Sequence, residues 1–158
     1  MKKINVRPII LLSVLRKILT ITLIERCWER LKPHIPKSQA AYQSGRSTTE
    51  QVFAIKLIAE KAITSQNYEA FLLLLDMSKA FDTVSRNELM NILKGILTDS
   101  ELHLMHILIN DITLNVRIGK AVGEDIHTNV GICQGDCLSA LLFILYLAKA
   151  MTPLPKHI

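Results

Sequence analysis

No apolar run in this sequence is long enough to cross a membrane. The longest, Leu138 to Ala148, is interrupted by Ser139 and falls short of the roughly 20 residues a spanning helix needs. There is no secretory leader either: Met1 to Arg16 carries charges on both sides of a short apolar stretch, and no small-residue cleavage site follows. Three cysteines, Cys27, Cys133 and Cys137, make an odd count with no disulfide framework. Cys133 and Cys137 also lack the paired spacing of a zinc site, so they read as free thiols in a reducing, intracellular compartment. Internal repeats and low-complexity tracts are absent. Aromatic residues make up only 5% of the chain, yet 49% is hydrophobic and the mean hydropathy is +0.28. Such apolarity without a membrane span often marks a chain whose neighbouring segment is missing. At 158 residues, one domain with a real core is the default expectation.

The net charge of +5 is unevenly spread. Residues 1–37 hold nine Lys/Arg and two Glu, whereas the remainder holds ten basic and twelve acidic residues. This basic N-terminal stretch is compatible with phosphate or nucleic-acid binding, but on charge alone a solvated helix face is the simpler reading.

Element signals follow in order. Ser13 is placed to cap a helix through about Leu31, with Val14, Ile18, Ile21, Trp28 and Leu31 on one stripe, before Pro33 and Pro36 stop it. Lys37 to Thr49 reads as a loop. Ser47 with Glu50 forms a capping box ahead of a helix to about Thr64, whose apolar face is Val52, Ile55, Ile58, Ala59 and Ala62. Phe71 to Leu75 reads as a buried strand. Ser85 with Glu88, and Thr98 with Glu101, repeat the capping box before two short helices, the first ending near Gly95. Thr113 to Ile118 and Ile126 to Ile132 look like two strands, with Gly119 and Gly123 in their connection. A last helix covers roughly Ser139 to Ala150, with Ser139 as its cap and Pro153 and Pro155 beyond its end. This order is α+β, with helices packed on a small antiparallel sheet, not a regular βαβ alternation.

Two segments carry chemistry. Asp76 ends the apolar run Phe71 to Leu75 and is followed by Met77, Ser78, Lys79, Ala80, Phe81, Asp82, Thr83 and Val84. A carboxylate there suits a metal ligand, a phosphoacceptor or a turn cap. A phosphoacceptor would want a second Asp where Ser78 stands, and Asp82 would not face Asp76 on a helix, where six residues turn about 600°. In the second segment, Gly131 to Ser139, Gly135 permits close backbone approach and Gln134 offers both donors and acceptors. It reads as a ligand-facing strand–turn–helix or as a plain connection. His103 and His106, with Asp99 nearby, lack a further ligand and read as an exposed helix face.

Taken together, four pieces resemble the reverse transcriptases of non-LTR, LINE-like retroelements. Arg7-Pro8-Ile9 with Leu11-Leu12-Ser13 is similar to the opening fingers motif. Gln39 to Thr48 is similar to the glutamine–aromatic–GRST segment. Asp76 to Val84 resembles palm motif A, and Gly131 to Phe143 resembles motif B. The resemblance implies an incomplete right-hand polymerase, with fingers over about 1–68 and palm over about 69–158. It implies an RNA template, a DNA primer and dNTP as partners, with Mg²⁺, or Mn²⁺ in its place, as cofactor. By position, Asp76 would ligate the catalytic metals, with the backbone carbonyl of Met77 on one of them. Phe81 would be the steric gate against a ribose 2′-OH. Arg7 would contact the triphosphate, and Gln134 and Gly135 would line the nucleotide and template pocket. Arg16, Lys17, Arg26, Arg30 and Arg46 would track template phosphates.

Departures from that pattern matter. The aromatic-x-Asp-Asp of motif C should follow motif B, and no Asp-Asp pair occurs in these residues. Ala140 stands where the family commonly has Pro, and Cys133 where a basic residue is frequent. The expectation is a truncated fingers–palm segment, inactive alone without the remaining palm and thumb of its parent polyprotein. The competing readings are a non-catalytic nucleic-acid-binding remnant and a helical protein-interaction module.

Overall fold

A computed structural model describes residues 9–65, 68–110 and 112–152. Arg7, Pro8, Pro153 and Pro155 lie outside the described residues. The elements are α1 (Val14–Leu31), a 3₁₀ turn (Lys32–His34), α2 (Thr48–Thr64), α3 (Arg86–Lys94), α4 (Asp99–Asn110), four two-residue strands β1 (Thr113–Leu114), β2 (Arg117–Ile118), β3 (Ala121–Val122) and β4 (Ile126–His127), and α5 (Cys137–Met151). The fold is α+β, and the chain divides into one unit of residues 1–35 with 79–158 and another of residues 36–78.

The first unit owns the core. Leu23, Cys27 and Leu31 of α1, Leu89 and Leu93 of α3, Met105, Leu108 and Ile109 of α4, and Leu138, Leu141, Leu142, Ile144 and Leu145 of α5 are buried together with Val84 and Ile132. Helix α1 packs on α5, and α3 packs on both α4 and α5. Ser13 caps α1 as expected, accepting from the Arg16 amide at 3.3 Å. The buried stripe of α1 differs from the expected one: it is Thr20, Leu23, Cys27 and Leu31, while Val14, Ile18 and Ile21 face out. Apolar residues occupy nearly every side of this helix, so periodicity alone cannot choose a face; packing on α5 does.

The expected pair of strands is one hairpin split into two short ladders. Thr113 pairs with His127 and Leu114 with Ile126; Arg117 pairs with Val122 and Ile118 with Ala121. Gly119, at φ +61°, makes the tight turn, and the Gly123 amide donates to the Val116 carbonyl at 2.8 Å across the two arms. Residues 128–132 leave the sheet instead of continuing it. Three of their carbonyls, those of Thr128, Val130 and Gly131, are taken by the buried Arg86 side chain instead of a neighbouring strand. Helix α5 starts two residues earlier than expected, because Asp136 and not Ser139 caps it: Oδ1 of Asp136 accepts from the Leu138 amide at 3.1 Å. A carboxylate at the N-cap also complements the helix dipole, which a hydroxyl does less well.

In the second unit, the Ser47–Glu50 capping box forms reciprocally and α2 runs to Thr64. Its apolar face is not buried; Val52, Ile55 and Ile58 are exposed. The described residues of 36–78 contain no other helix or strand, and a helix hides its stripe only against another element. The same cause overturns the buried strand expected at Phe71 to Leu75. These residues are in neither ladder and are 63–90% exposed. A strand needs a partner for its N–H and C=O groups, and none of the described strands pairs with it.

Candidate functional site

The turn over residues 78–83 is built on Lys79. This residue takes φ +53°, where L side chains are strained, and its carbonyl accepts from the amides of Asp82 at 2.9 Å and Thr83 at 3.1 Å. The tight turn places the Phe81 ring parallel to Phe143 of α5, with ring centroids 4.9 Å apart and planes inclined by 18°. Such a stack is worth about 0.5–1.5 kcal/mol beyond area burial, so Phe81 is held and not free to swing. Lys79→Gly is expected to raise stability by about 0.5–1 kcal/mol in urea denaturation, since glycine adopts this φ without strain. A loss of stability would show that the lysine side chain stabilises the turn.

Against this turn lies the glycine-rich segment before α5. The Gly131 amide donates to the Val84 carbonyl at 2.9 Å, and the Ile132 amide donates to the Phe81 carbonyl at 2.9 Å. Gly131, at φ +81°, has no room for a Cβ, which would sit 2.8 Å from the Asp82 carbonyl oxygen. The Gln134 side chain closes the gap, its Nε2 donating to Asp82 Oδ1 at 3.3 Å. A carboxylate only accepts, so it fixes the Gln134 amide with its NH₂ toward Asp82 and leaves the carbonyl end for another group. On the far side, the Ile10 amide donates to the Gln134 carbonyl at 2.9 Å, and a Cβ on Gly135 would meet the Ile10 carbonyl oxygen at 2.8 Å. Residues 9–10, 81–84 and 131–135, far apart in sequence, thus meet through backbone contacts.

Two systems with a buried charge hold the first unit together, and sequence reading missed the first of them. Arg86, the first residue of α3, is 5% exposed. Its Nε donates to the Gly131 carbonyl at 2.7 Å and its Nη1 to the Thr128 carbonyl at 2.6 Å. Nη2 donates to Thr128 Oγ1 at 2.7 Å and to the Val130 carbonyl at 3.3 Å. Burial lowers its pKa. An arginine at the start of a capped helix gave no sequence signal, because a solvated surface charge looks the same. The second system centres on Glu101, 1% exposed, which accepts from the Thr98 amide at 3.0 Å, the Thr98 hydroxyl at 2.8 Å, Arg26 Nε at 3.1 Å and Arg30 Nη2.

The other sequence-picked residues are placed as follows. Asp76 and Met77 are exposed in the second unit. Among the described residues, no three His, Cys, Asp or Glu side chains gather as a metal site. Arg16 turns inward, its Nη2 donating to the Leu108 carbonyl at 2.6 Å and reaching Asp136 Oδ2 at 3.5 Å. Lys17 is exposed on α1, and Arg46 Nε pairs with Glu50 at 3.0 Å in the second unit. His103 and His106 are exposed on α4. All three cysteines are free, and burial pushes the Cys27 and Cys133 thiols up.

The whole chain, residues 1–158, matches the family described as "Reverse transcriptase (RNA-dependent DNA polymerase)". No curated protein and no solved structure matches it.

Proposed function

This chain belongs to the reverse transcriptase family, and we propose that it is the nucleotide-selecting part of a non-LTR-type enzyme that copies an RNA template onto a DNA primer. The observation that supports this most is the junction of the Phe81–Asp82 turn with the Gln134–Gly135 turn, which brings motif A and motif B residues together in one packed unit. Phe81, braced on Phe143, is the gate that admits a dNTP and leaves no space for the 2′-OH of a ribonucleotide. Gln134 and Gly135 line the nucleotide and template pocket, and Arg7 contacts the triphosphate. We place the fingers over about 1–68 and the palm over about 69–158, and the protein in an intracellular compartment. No helix among the described residues is long and apolar enough to cross a membrane.

In this reading Asp76, with the Met77 carbonyl, would hold Mg²⁺ or Mn²⁺, hard cations that suit oxygen donors and would polarise the reacting phosphate. One carboxylate does not make the two-metal site that the chemistry uses, and among the described residues no three His, Cys, Asp or Glu side chains gather to complete it. The residues present therefore do not fit the complete metal centre, and no catalytic step is derived through it. These 158 residues are expected to bind template–primer without extending it. Lys17, exposed on α1, contributes most to phosphate contact, and Arg46 less because Glu50 pairs with it. Arg26 and Arg30 share one carboxylate and so retain part of their charge for this purpose, while Arg16 is largely spent inside the protein.

Two assays test the reading. In primer extension with Mg²⁺ and all four dNTPs, no product is expected; extension that Asp76→Asn abolishes would overturn the claim of inactivity. In filter binding across a salt series, affinity for an RNA–DNA template–primer should fall steeply with salt, and Lys17→Ala should reduce the slope by about one. No binding at moderate salt would remove the nucleic-acid reading and favour a protein-interaction module.

A further inference from the structure

We propose that Arg86 is a positioning residue: it clamps residues 128–131 so that Gln134 is held in register with Asp82 and Phe81. Every hydrogen bond that its guanidinium makes in the structure goes to this one segment, to three backbone carbonyls and one hydroxyl. None goes to a carboxylate. Such an arrangement is unfavourable on general grounds. A cation is buried, and it stands at a helix N-terminus, where the dipole disfavours positive charge. Only the planar fork of arginine can bridge the Gly131 and Thr128 carbonyls at once; a lysine ammonium cannot span both.

The consequence for the junction is geometric. Gly131 is held at both ends, its N–H on the Val84 carbonyl at 2.9 Å and its C=O on Arg86 Nε at 2.7 Å. The next amide, of Ile132, reaches Phe81, and the Gln134 side chain reaches Asp82. Arg86 itself follows the Phe81–Asp82 turn by only a few residues, so one side chain ties the start of α3 to the segment that presents Gln134. With the clamp gone, the carbonyls of Thr128 and Gly131 need new partners and the segment has reason to move. What the register is for rests on the polymerase reading; that Arg86 sets it does not.

Amide hydrogen exchange on the full chain tests this. Arg86→Lys is expected to speed exchange at residues 129–135 about tenfold or more, because charge-assisted bonds are lost. Amides of α1 and α4 should keep wild-type rates, and the Gln134 side-chain amide should exchange like a free one. Thr128→Val, which removes one acceptor without touching the core, should give a smaller increase confined to the same residues and serves if Arg86→Lys does not fold. Ethylguanidinium at millimolar concentration should restore protection in Arg86→Ala and leave the wild type unchanged. Unchanged exchange at 129–135, or an increase shared equally by all helices, overturns the proposal. The samples contain no nucleotide, so failure here and failure of the polymerase reading are separate results.

Discussion

Glu101→Ala is expected to cost about 2–3 kcal/mol of stability, read as a shift of the urea midpoint. The carboxylate does two jobs. At the third position of α4 it returns to the Thr98 amide and hydroxyl, the reach-back half of a capping box, whose loss costs about 1 kcal/mol. It also binds Arg26 and Arg30 of α1, so a local cap is joined to a tertiary tie. Bonds to charged groups contribute about 1.5–3 kcal/mol each when buried, but these arginine side chains are 69% and 42% exposed. Both can turn to water when the carboxylate goes, which keeps the loss below the roughly 3–5 kcal/mol of a fully buried broken pair.

The same site makes a pH prediction. Burial pushes the Glu101 carboxyl up, but the Thr98 hydroxyl and amide and the Arg30 guanidinium outweigh it and hold it below its ordinary value. A depressed folded-state pKa gives stability that is complete above the unfolded glutamate value, about 4.3, and is lost as pH falls through the lower folded value. The gap in melting temperature between wild type and Glu101→Gln should therefore be constant near neutrality and narrow below about pH 4. A gap that stays the same down to pH 2 would mean that the ionised carboxylate contributes nothing.

Gly131→Ala should cost at least as much, about 3–4 kcal/mol, through two penalties that add. At φ +81° any L side chain is strained, by about 1 kcal/mol. The new Cβ would also sit 2.8 Å from the Asp82 carbonyl oxygen and 3.0 Å from its Cα. Backbone on both sides cannot yield as a side-chain tip could, so the turn must move and the bonds to Val84, Phe81 and Arg86 lengthen. Gly119→Ala is the control: φ is also positive, +61°, but nothing lies within 4 Å of its Cβ, so only the strain is felt. Equal losses for the two variants in urea denaturation would show that the contact with Asp82 is not tight.

Caps were the most legible features, because they depend on residues three apart and on nothing distant. Ser13 caps α1 and Ser47 with Glu50 forms the reciprocal box, whereas Ser85 shows only the bond from the Glu88 amide and Glu101 only the return to Thr98. The cap of α5 was misread, since Asp136 and Ser139 are both suitable and the choice depends on where the preceding turn ends. Strands were the least legible. Phe71 to Leu75 has every local mark of a buried strand and is exposed, because strand formation needs a partner that its own composition does not supply. The family was readable from ordered motifs even so, as motifs record residue types at fixed spacing and not contacts.

By itself, then, the sequence determined the α+β class, the starts of α1 to α4 and the family. Local hydrogen bonds, glycine's backbone freedom and the chemistry of each side chain are properties of short segments. Only the tertiary structure decided that Arg86 is buried, that Glu101 ties α4 to α1, that α1 hides Thr20 and Cys27 and shows Ile18, and that Gly131 rests on Asp82. Each of these is a choice between partners distant in sequence. An arginine or a glutamate reads as a surface charge until the fold closes water away from it and leaves specific carbonyls and guanidinium groups in its place.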